Sequence, residues 1–315
     1  MRRLAGAGHE VVVFHRGRTG TELPEGVGQF LGDRQALEDH ADELRSFGPE
    51  VVLDMIPMNE KDAQGVVDVF RGVARRIVAI SSEDVYRAYD VVRGLAPGPP
   101  NPIPLSEDAP LRERLYPYNR EGIEEYEKIL VEQVVMEDRD MLATVLRLPA
   151  VYGPGDYQHR LFDYVKRMDD GRRAILLGEG MANWRWTHGY VEDVASAIML
   201  AVADERAAGR VYNVGEAEPL PWSEWVREIG RAAGWEGEVV AVPEDRLPQH
   251  LDWGLNTEQH WFVDTGRIRH QLGYEEEIPR EEALWRTVAW ERAHPPENVD
   301  PASFDYAAED AALSN

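Results

Sequence analysis

The sequence contains no cysteine, and it also lacks the long apolar runs that would place a protein in a membrane. Without cysteine, disulfide bonds, thiolate nucleophiles and cysteine-ligated zinc are all excluded, and we expect no metal site. No apolar run approaches the roughly 20 residues needed to span a bilayer. The opening residues MRRLAG do not continue into the hydrophobic stretch of a signal peptide. These absences predict a cytoplasmic protein with no membrane segment.

Positive charge is also scarce. The 315 residues include 58 acidic and 34 basic side chains, which gives a formal charge of -24. Such an excess of negative charge repels phosphate backbones and anionic lipid surfaces. Nucleic acid is therefore not an expected partner. The length is sufficient for one large domain or two coupled lobes, each able to bury an apolar core.

Short apolar runs alternate with amphipathic segments in the first half of the chain. The apolar runs, which have the continuous hydrophobic character of strands buried on both faces, occupy residues 10–14, 50–53, 76–80 and 143–148. The amphipathic segments lie near residues 35–46, 59–74 and 118–137. This alternation predicts an α/β fold with a doubly wound, parallel, Rossmann-like sheet.

The second half of the chain differs in composition. All nine tryptophans lie at or beyond Trp184. Residues 94–110 are rich in proline and glycine, and we expect them to form a long surface loop beside the site. The predicted division is a Rossmann-like domain over residues 1–175, a smaller substrate-binding lobe over 176–297, and an acidic, disordered tail over 298–315.

The first strand of a dinucleotide-binding sheet is absent from the beginning of this chain. That strand is central in the sheet, and the glycine-rich turn after it holds the pyrophosphate. Here residues 2–9 have the pattern of a helix end with a glycine C-cap, and the first apolar run follows them. We therefore expect the strand and turn to be encoded upstream of Met1, with a genuine truncation as the alternative. The interpretation requires residues 10–14, 76–80 and 143–148 to be parallel neighbours in one sheet.

Several motifs together carry a resemblance to a known family. They are SSEDVY at 81–86, KILVE at 128–132, LRLPAVYGPG at 146–155, WRWTHGYVEDVA at 184–195 and DTGR at 264–267. With their flanking segments they cover most of the chain. They resemble extended short-chain dehydrogenases/reductases, in particular atypical members of the NAD-dependent epimerase/dehydratase branch, which also resemble chloroplast stem-loop-binding proteins. The resemblance implies a nicotinamide cofactor and a nucleotide-sugar or similar hydroxyl/carbonyl substrate.

The resemblance places the adenosine end of the cofactor at the ends of two strands. Members that prefer NAD carry an acid where this sequence has His15, followed by Arg16 and Arg18. Because arginine pairs well with a 2′-phosphate, the sequence favours NADP(H), with NAD(H) as the alternative. Two exposed surface arginines are the other interpretation. Asp33 is implied to face the adenine amino group, although aspartate after glycine is also common in turns.

A polar segment follows the strand at 76–80. Ser82 matches the family's catalytic serine or threonine, and strand ends of this kind hold the ligands of open α/β sheets. Glu83 and Asp84 resemble the acidic pair of sugar-nucleotide 4,6-dehydratases, in which one carboxyl acts as acid and the other as base. The alternative interpretation of this pair is a solvated turn or a helix start.

The family's tyrosine and lysine stand four residues apart on one helix, so that both side chains share a face. Lys128 matches the lysine, which bonds the nicotinamide ribose, but Glu124 occupies the tyrosine position. On a helix, Tyr126 would point away from Lys128. Three alternatives follow: Tyr116 or Tyr118 supplies the phenol, Glu124 acts as the base, or redox chemistry is lost. Glu124 and Lys128 would also make an ordinary helical ion pair.

The resemblance implies a substrate side built from two later motifs. Pro149 would lie beside the nicotinamide, and Tyr152 follows where the substrate lobe begins. Arg185 resembles an arginine that contacts a nucleotide diphosphate, displaced by one residue. Trp184 and Trp186 are the first candidates for stacking on a sugar ring.

The leading functional hypothesis is an NADP(H)- or NAD(H)-dependent epimerase/dehydratase-type oxidoreductase that acts on a small molecule by hydride exchange at Ser82 and Lys128. Two alternatives come from other classes. The first is a catalytically silent NADP(H)-binding regulatory protein, because a glutamate replaces the expected tyrosine. The second is an RNA-binding relative of the chloroplast proteins. The amphipathic segments near 59–74 and 118–137 offer a surface for a homodimer, and a monomer is the alternative.

Overall fold

The computed structural model describes residues 1–18, 22–118 and 122–314. The strands are β1 (Val12–His15), β2 (Gly28–Leu31), β3 (Val51–Asp54), β4 (Arg76–Ser82), β5 (Leu142–Leu148), β6 (Ala150–Tyr152), β7 (Ala174–Gly178), β8 (His188–Tyr190), β9 (Arg210–Asn213) and β10 (Glu238–Val242). The α helices are α1 (Arg2–Gly6), α2 (Ala41–Ser46), α3 (Glu60–Phe70), α4 (Arg87–Val92), α5 (Lys128–Glu137), α6 (Phe162–Asp169), α7 (Glu179–Asn183), α8 (Val191–Ala203), α9 (Trp222–Ala233), α10 (Gly266–Leu272), α11 (Arg280–Ala293) and α12 (Tyr306–Ser314). None of these helices has both the length and the apolar composition needed to cross a bilayer.

A parallel four-stranded sheet in the order β3-β4-β5-β9 forms the centre of the molecule. Its two inner strands pair in register from Arg76 opposite Leu142 to Ser82 opposite Leu148. Alternate residues of β4 enter different cores: Ile77 belongs to the cluster that includes α3 and α5, and Val78 to the cluster that includes α8 and α10. Because helices cover both faces, these strands are mostly apolar, with their polar residues near the strand ends. The predicted doubly wound α/β fold is confirmed.

Strands β1 and β2 form a separate parallel ladder, from Val12 opposite Gly28 to His15 opposite Leu31. Residues 76–80 and 143–148 are parallel neighbours, as expected. The expectation that residues 10–14 lie in the same continuous sheet is wrong, since no ladder joins β1 to β3 among the described strands. The two sheets nevertheless share a core through Phe14 and Phe30 of the smaller one.

The two expected lobes interleave along the chain. Strand β7 crosses the expected boundary at residues 175 and 176, and it pairs with β10. Strand β9 and helix α8 come from beyond that boundary and yet pack on the central sheet. The loop at 94–110 contains no helix or strand, as predicted.

The acidic tail is ordered, contrary to the expected disorder. Residues Pro301–Phe304 form a 3-10 helix and α12 follows. Glu309 is fully buried; it accepts a hydrogen bond from Arg167 at 3.0 Å and lies 3.1 Å from a ring nitrogen of His250. The tail is ordered because this acidic residue meets basic partners that are distant in the sequence. Asn315 lies outside the described residues.

Candidate active site

The carboxyl end of β4 forms the centre of the candidate site. Ser82 is the last residue of the strand, and its hydroxyl accepts a hydrogen bond from the backbone N–H of Asp84 at 3.2 Å. This is the N-cap of a short 3-10 helix, Glu83–Val85. The cap turns the chain sharply at the edge of the sheet, and so it brings two carboxyl groups beside Ser82.

Glu83 and Asp84 are buried, each only 2% exposed, so they do not form a solvated turn. They do form a helix start, as the alternative interpretation also allowed, because they open the 3-10 helix. Glu83 accepts a short hydrogen bond from the indole of Trp186. Burial raises the pKa of both carboxyl groups, and that of Glu83 lies well above its ordinary value. One oxygen of each, Glu83 Oε2 and Asp84 Oδ1, has no hydrogen-bond partner within the described part of the chain. Both groups therefore have an oxygen left to bind or exchange a proton.

Two phenols converge on Asp84. The hydroxyls of Tyr118 and Tyr126 each donate a hydrogen bond to Asp84 Oδ2 at 2.9 Å. Their rings meet edge to face, with centroids 5.1 Å apart. Of the two tyrosines suggested from the sequence, Tyr118 reaches the site, whereas Tyr116 is exposed and its side chain does not contact Asp84.

Tyr126 was missed because the helix begins later than expected. Its N-cap is Glu127, whose carboxylate accepts from the backbone N–H of Ile129 at 2.9 Å, so α5 starts at Lys128. Residues 119–121 of the predicted helix lie outside the described residues. Tyr126 precedes the helix, and its ring centroid lies 5.5 Å from Lys128 Nζ. The prediction that Tyr126 points away from Lys128 is wrong. Glu124 is also outside the helix, so the helical Glu124–Lys128 pair is wrong as well.

Lys128 is buried between two strand ends. Its ammonium donates hydrogen bonds to the carbonyls of Pro57 at 2.6 Å and Ile80 at 2.9 Å. Burial lowers the pKa of Lys128 to about 8, against the opposing influence of Asp84 and Asp54. The site therefore combines a hydroxyl, two phenols, two carboxyls and an ammonium at the edge of a parallel sheet.

Comparison with known proteins identifies the family. The sequence model of the NAD dependent epimerase/dehydratase family matches residues 1–215. This chain belongs to that family. A 2'-dehydrokanamycin reductase from Streptomyces kanamyceticus is 28% identical over 259 residues, which cover 80% of this chain and 68% of that protein.

One further relative and one solved structure are similar to this chain. A dTDP-glucose 4,6-dehydratase from Streptomyces griseus is 32% identical over 151 residues, and the match covers 48% of this chain and 43% of that protein. The matched region thus spans less than half of the dehydratase. The solved structure of MoeE5 with UDP-glucuronic acid and NAD has a TM-score of 0.64 at 20% identity, covering 93% of this chain and 94% of that one. This likeness shows the epimerase/dehydratase fold.

The residues expected at the adenosine end lie after β1 and β2. One ring nitrogen of His15 accepts a hydrogen bond at 3.2 Å from the backbone N–H two residues further on. Arg16 and Arg18 are exposed beside it. Asp33 accepts from the backbone N–H of Gln35 at 3.0 Å and so caps the 3-10 helix after β2. His15 and the two arginines lie together after β1, and the described contact of Asp33 is that of a cap.

The two expected residues of the β5–β6 segment are both buried. Pro149 lies between the two strands. The hydroxyl of Tyr152 donates to Glu216 at 3.1 Å, and its ring packs on Trp225 with centroids 5.1 Å apart. The described contacts of Tyr152 are therefore with the second lobe, beside a cavity of about 350 Å³ that Glu216 and Arg280 also line. These contacts do not place Tyr152 beside Ser82.

In the motif at 184–195, the side chain that reaches the site lies one position after the arginine predicted from the sequence. Arg185 is exposed and donates to the carbonyl of Pro219 at 3.2 Å. Trp186 contacts Glu83 instead, and it stacks on Trp261 with centroids 5.2 Å apart and an interplanar angle of 10°. Trp184 is only 1% exposed and belongs to the core. Of the two tryptophans proposed for sugar stacking, Trp186 alone borders the buried carboxyls.

Proposed function

We propose that this protein is an oxidoreductase of the epimerase/dehydratase type, which uses NADP(H) or NAD(H) to exchange hydride with a hydroxyl or carbonyl carbon of a nucleotide-sugar or similar small molecule. One observation carries the proposal: Ser82, Lys128 and a carboxyl-bound phenol converge at the carboxyl end of a central parallel strand. Ligands of open α/β sheets bind at such strand ends.

The residues around β4 and β1 fit a nicotinamide dinucleotide. Lys128 would hold its nicotinamide end, and Pro149 follows the neighbouring strand. His15, Arg16 and Arg18 would hold the adenosine end, with Asp33 nearby, and two exposed arginines favour a 2′-phosphate. When bound, the cofactor would give or take the hydride. The protein would orient the substrate oxygen with Ser82 and move its proton.

Relatives support a sugar substrate and leave the reaction open among epimerisation, dehydration and reduction. One is named for reducing 2'-dehydrokanamycin, another for dehydrating dTDP-glucose. A structural neighbour binds UDP-glucuronic acid and NAD. The buried pair Glu83 and Asp84 supports acid and base roles in an elimination, whereas Arg185 and Tyr152 lack described contacts with the site. We propose that these two contact the substrate at its distal end.

Calorimetry followed by a turnover screen tests the proposal. We expect NADPH to bind more tightly than NADH, and the Arg16→Ala/Arg18→Ala variant to lose about 10- to 100-fold of NADPH affinity, the value of one charge-assisted contact. NADH affinity should be unchanged, which makes it the control. Cofactor absorbance should then change with a nucleotide-sugar. Tight binding without any absorbance change would indicate the catalytically silent regulatory protein instead.

We also propose a homodimer through α3 and α5. Their outer surfaces border a groove of about 600 Å³, lined by polar residues such as Gln64, Arg71 and Gln133 and by the apolar Leu130 and Val134. Sedimentation velocity of the intact protein should give the mass of a dimer. Val134→Arg, which places a charge in the groove, should shift the protein to the monomer, and a monomer before substitution would contradict the proposal.

A further inference from the structure

A second cavity lies beside the start of α8, and its described lining contains none of the residues gathered at the end of β4. Its volume is about 350 Å³. Five carboxylates line it: Asp193, Glu216, Glu218, Glu276 and Glu277. Among the described residues of its wall, the one basic side chain is Arg280. The wall therefore carries more negative than positive charge.

Arginines neutralise three of these carboxylates. The ion pairs, given by their nitrogen–oxygen distances, are Arg280–Glu216 at 2.7 Å, Arg269–Glu276 at 2.5 Å and Arg3–Glu277 at 2.8 Å. Glu218 is exposed, so water solvates its charge. Asp193 is only 2% exposed, and no ion pair to it occurs within the described part of the chain. The buried negative charge that lacks a counter-ion is therefore that of Asp193.

The carboxylate of Asp193 is bonded at one of its two oxygens. Oδ1 accepts hydrogen bonds from the backbone N–H groups of Glu277 at 2.8 Å and Ile278 at 3.3 Å, and the described hydrogen bonds of the side chain are these two. Burial first, and then the charges of Glu276 and Glu277, raise the pKa of Asp193. Because an anion removed from water without a cation is unfavourable, a cation bound at Oδ2 would stabilise this carboxylate.

Tyr274 brings an unpartnered hydroxyl to the same place. The residue is only 1% exposed, and its hydroxyl has no hydrogen-bond partner within the described residues. Burial, and then the charges of Glu276, Asp193 and Glu216, raise the pKa of this phenol, and all three carboxylates line the cavity. The guanidinium of Arg269 lies 4.9 Å from the centroid of the tyrosine ring and holds it in place. Since buried hydroxyls normally have a partner, this one points to a ligand in the cavity.

We propose that this cavity binds a small primary amine, whose ammonium group donates hydrogen bonds to Asp193 Oδ2 and Tyr274 Oη. An ammonium has three donors and no acceptor, which suits a wall of carboxylates and a phenol oxygen. A metal ion fits less well, because no group of three acidic or histidine side chains among the described residues could hold one. The volume is roughly ten times that of a liquid water molecule, so a carbon skeleton fits beside Ile278 and Pro279. Binding of this amine goes beyond the hydride transfer proposed above and does not depend on it.

Isothermal titration calorimetry of the intact protein, without cofactor, tests whether the ligand must carry a positive charge. The probes are trans-4-aminocyclohexanol, which carries an ammonium group at neutral pH, and the neutral trans-1,4-cyclohexanediol, which has a similar size. We expect the amine to bind at least about 10-fold more tightly than the diol, the contribution of one charge-assisted hydrogen bond. Equal affinities, or no binding of the amine, overturn the proposal.

Two variants test the contacts of the ammonium group. Tyr274→Phe keeps the ring beside Arg269 and removes the hydroxyl, so the amine should bind about 3- to 10-fold more weakly. Asp193→Asn removes the charge and should lose more, and the Tyr274→Phe result stands even where Asp193→Asn fails to fold. Glu275→Gln, an exposed neighbour outside the cavity wall, is the matched control and should bind as the wild type does. Wild-type affinity in Tyr274→Phe, or an equal loss in Glu275→Gln, overturns the assignment.

Backbone NMR locates the bound amine. In 1H–15N spectra, the N–H signals of Glu277 and Ile278, which are hydrogen-bonded to Asp193, should shift as the amine is added and stay in place with the diol. The N–H signal of Asp84, at the end of β4, should not move. Shifts confined to the end of β4 would place the amine at the candidate active site and overturn the proposal.

Discussion

At the scale of single residues, the site is dominated by charges removed from water. Glu83, Asp84 and Lys128 are each 5% exposed or less. Burial raises the pKa of the acids and lowers that of the lysine, so each group is shifted towards its neutral form. Such groups exchange protons more readily near neutral pH than their exposed counterparts, which suits acid and base roles.

Lys128 should make the stability of the protein depend on pH in a defined window. Its pKa is about 8 in the folded protein, below the ordinary 10.5, so between these values the unfolded chain binds more protons. Stability therefore rises with pH through this window and is lower below it. Lys128→Met should lack this rise, as measured by urea unfolding across the window, and the exposed Lys61→Met should retain it. An identical rise in Lys128→Met would contradict the account.

Single residues were predictable where a motif coincided with a strand end. Ser82 and Lys128 followed from such motifs, and the structure brings both to the end of β4. Tyr126 was missed because its position was judged on an assumed helix. Trp186 was predicted only as a candidate for sugar stacking, and its contact with Glu83 was not foreseen, since only the tertiary structure reveals which of two adjacent residues faces Glu83. The extended backbone of Glu127, which makes it the N-cap and leaves Tyr126 outside the helix, is visible only in the structure.

At the scale of elements, the start of α5 determines the geometry of the site. Glu127 caps the helix and also pairs with Arg112 at 3.0 Å, with both side chains fully buried. Arg112 in turn donates to the backbone carbonyl of Asp84. This pair therefore connects the helix start to the 3-10 turn that carries the carboxyl groups.

Removing Glu127 should destabilise the protein and displace Tyr126. Glu127→Leu leaves the buried Arg112 without its carboxylate, and we expect a loss of about 3–5 kcal/mol in the free energy of unfolding, measured in urea. The double variant Arg112→Met/Glu127→Leu removes both charges and should recover much of this loss. A double variant less stable than Glu127→Leu would show that the ion pair is not the cause.

The central sheet and the smaller sheet remain separate at the level of backbone pairing. Among the described strands, β1 pairs with β2 and β3 pairs with β4, and neither β1 nor β3 has a second partner. The two ladders are therefore joined by side-chain packing, through Phe14 and Phe30.

At the scale of the whole molecule, charge opposes binding to nucleic acid. The net charge is -24. Nucleic acid binds a protein largely by releasing counterions at a positively charged surface, so this net charge disfavours binding. We expect no retardation of a stem-loop RNA at low salt, where electrostatic binding is strongest. A salt-sensitive shift of the RNA would instead revive the RNA-binding alternative.

The doubly wound architecture was predictable because each central strand is a local apolar run. The tail was not, because its order depends on Arg167 and His250 meeting Glu309 across more than 50 positions. The separation of β1 from β3 also depends on tertiary arrangement. The local hydrophobic pattern thus predicts the sheet and helix layers of this fold. The order of the C-terminal tail depends instead on ion pairs between residues that are distant in the sequence.

The central claim is that the protein exchanges hydride between a nicotinamide cofactor and a hydroxyl or carbonyl carbon of its substrate at the end of β4, where Tyr126 adjoins Lys128. Its most direct test is a single-turnover reaction with NADPH deuterated at the transferred position of the nicotinamide, analysed by mass spectrometry of the sugar product. The account predicts an alcohol carrying one deuterium on carbon, formed at least about 100-fold more slowly by Tyr126→Phe. An unlabelled product, or equal rates in the two proteins, would contradict it.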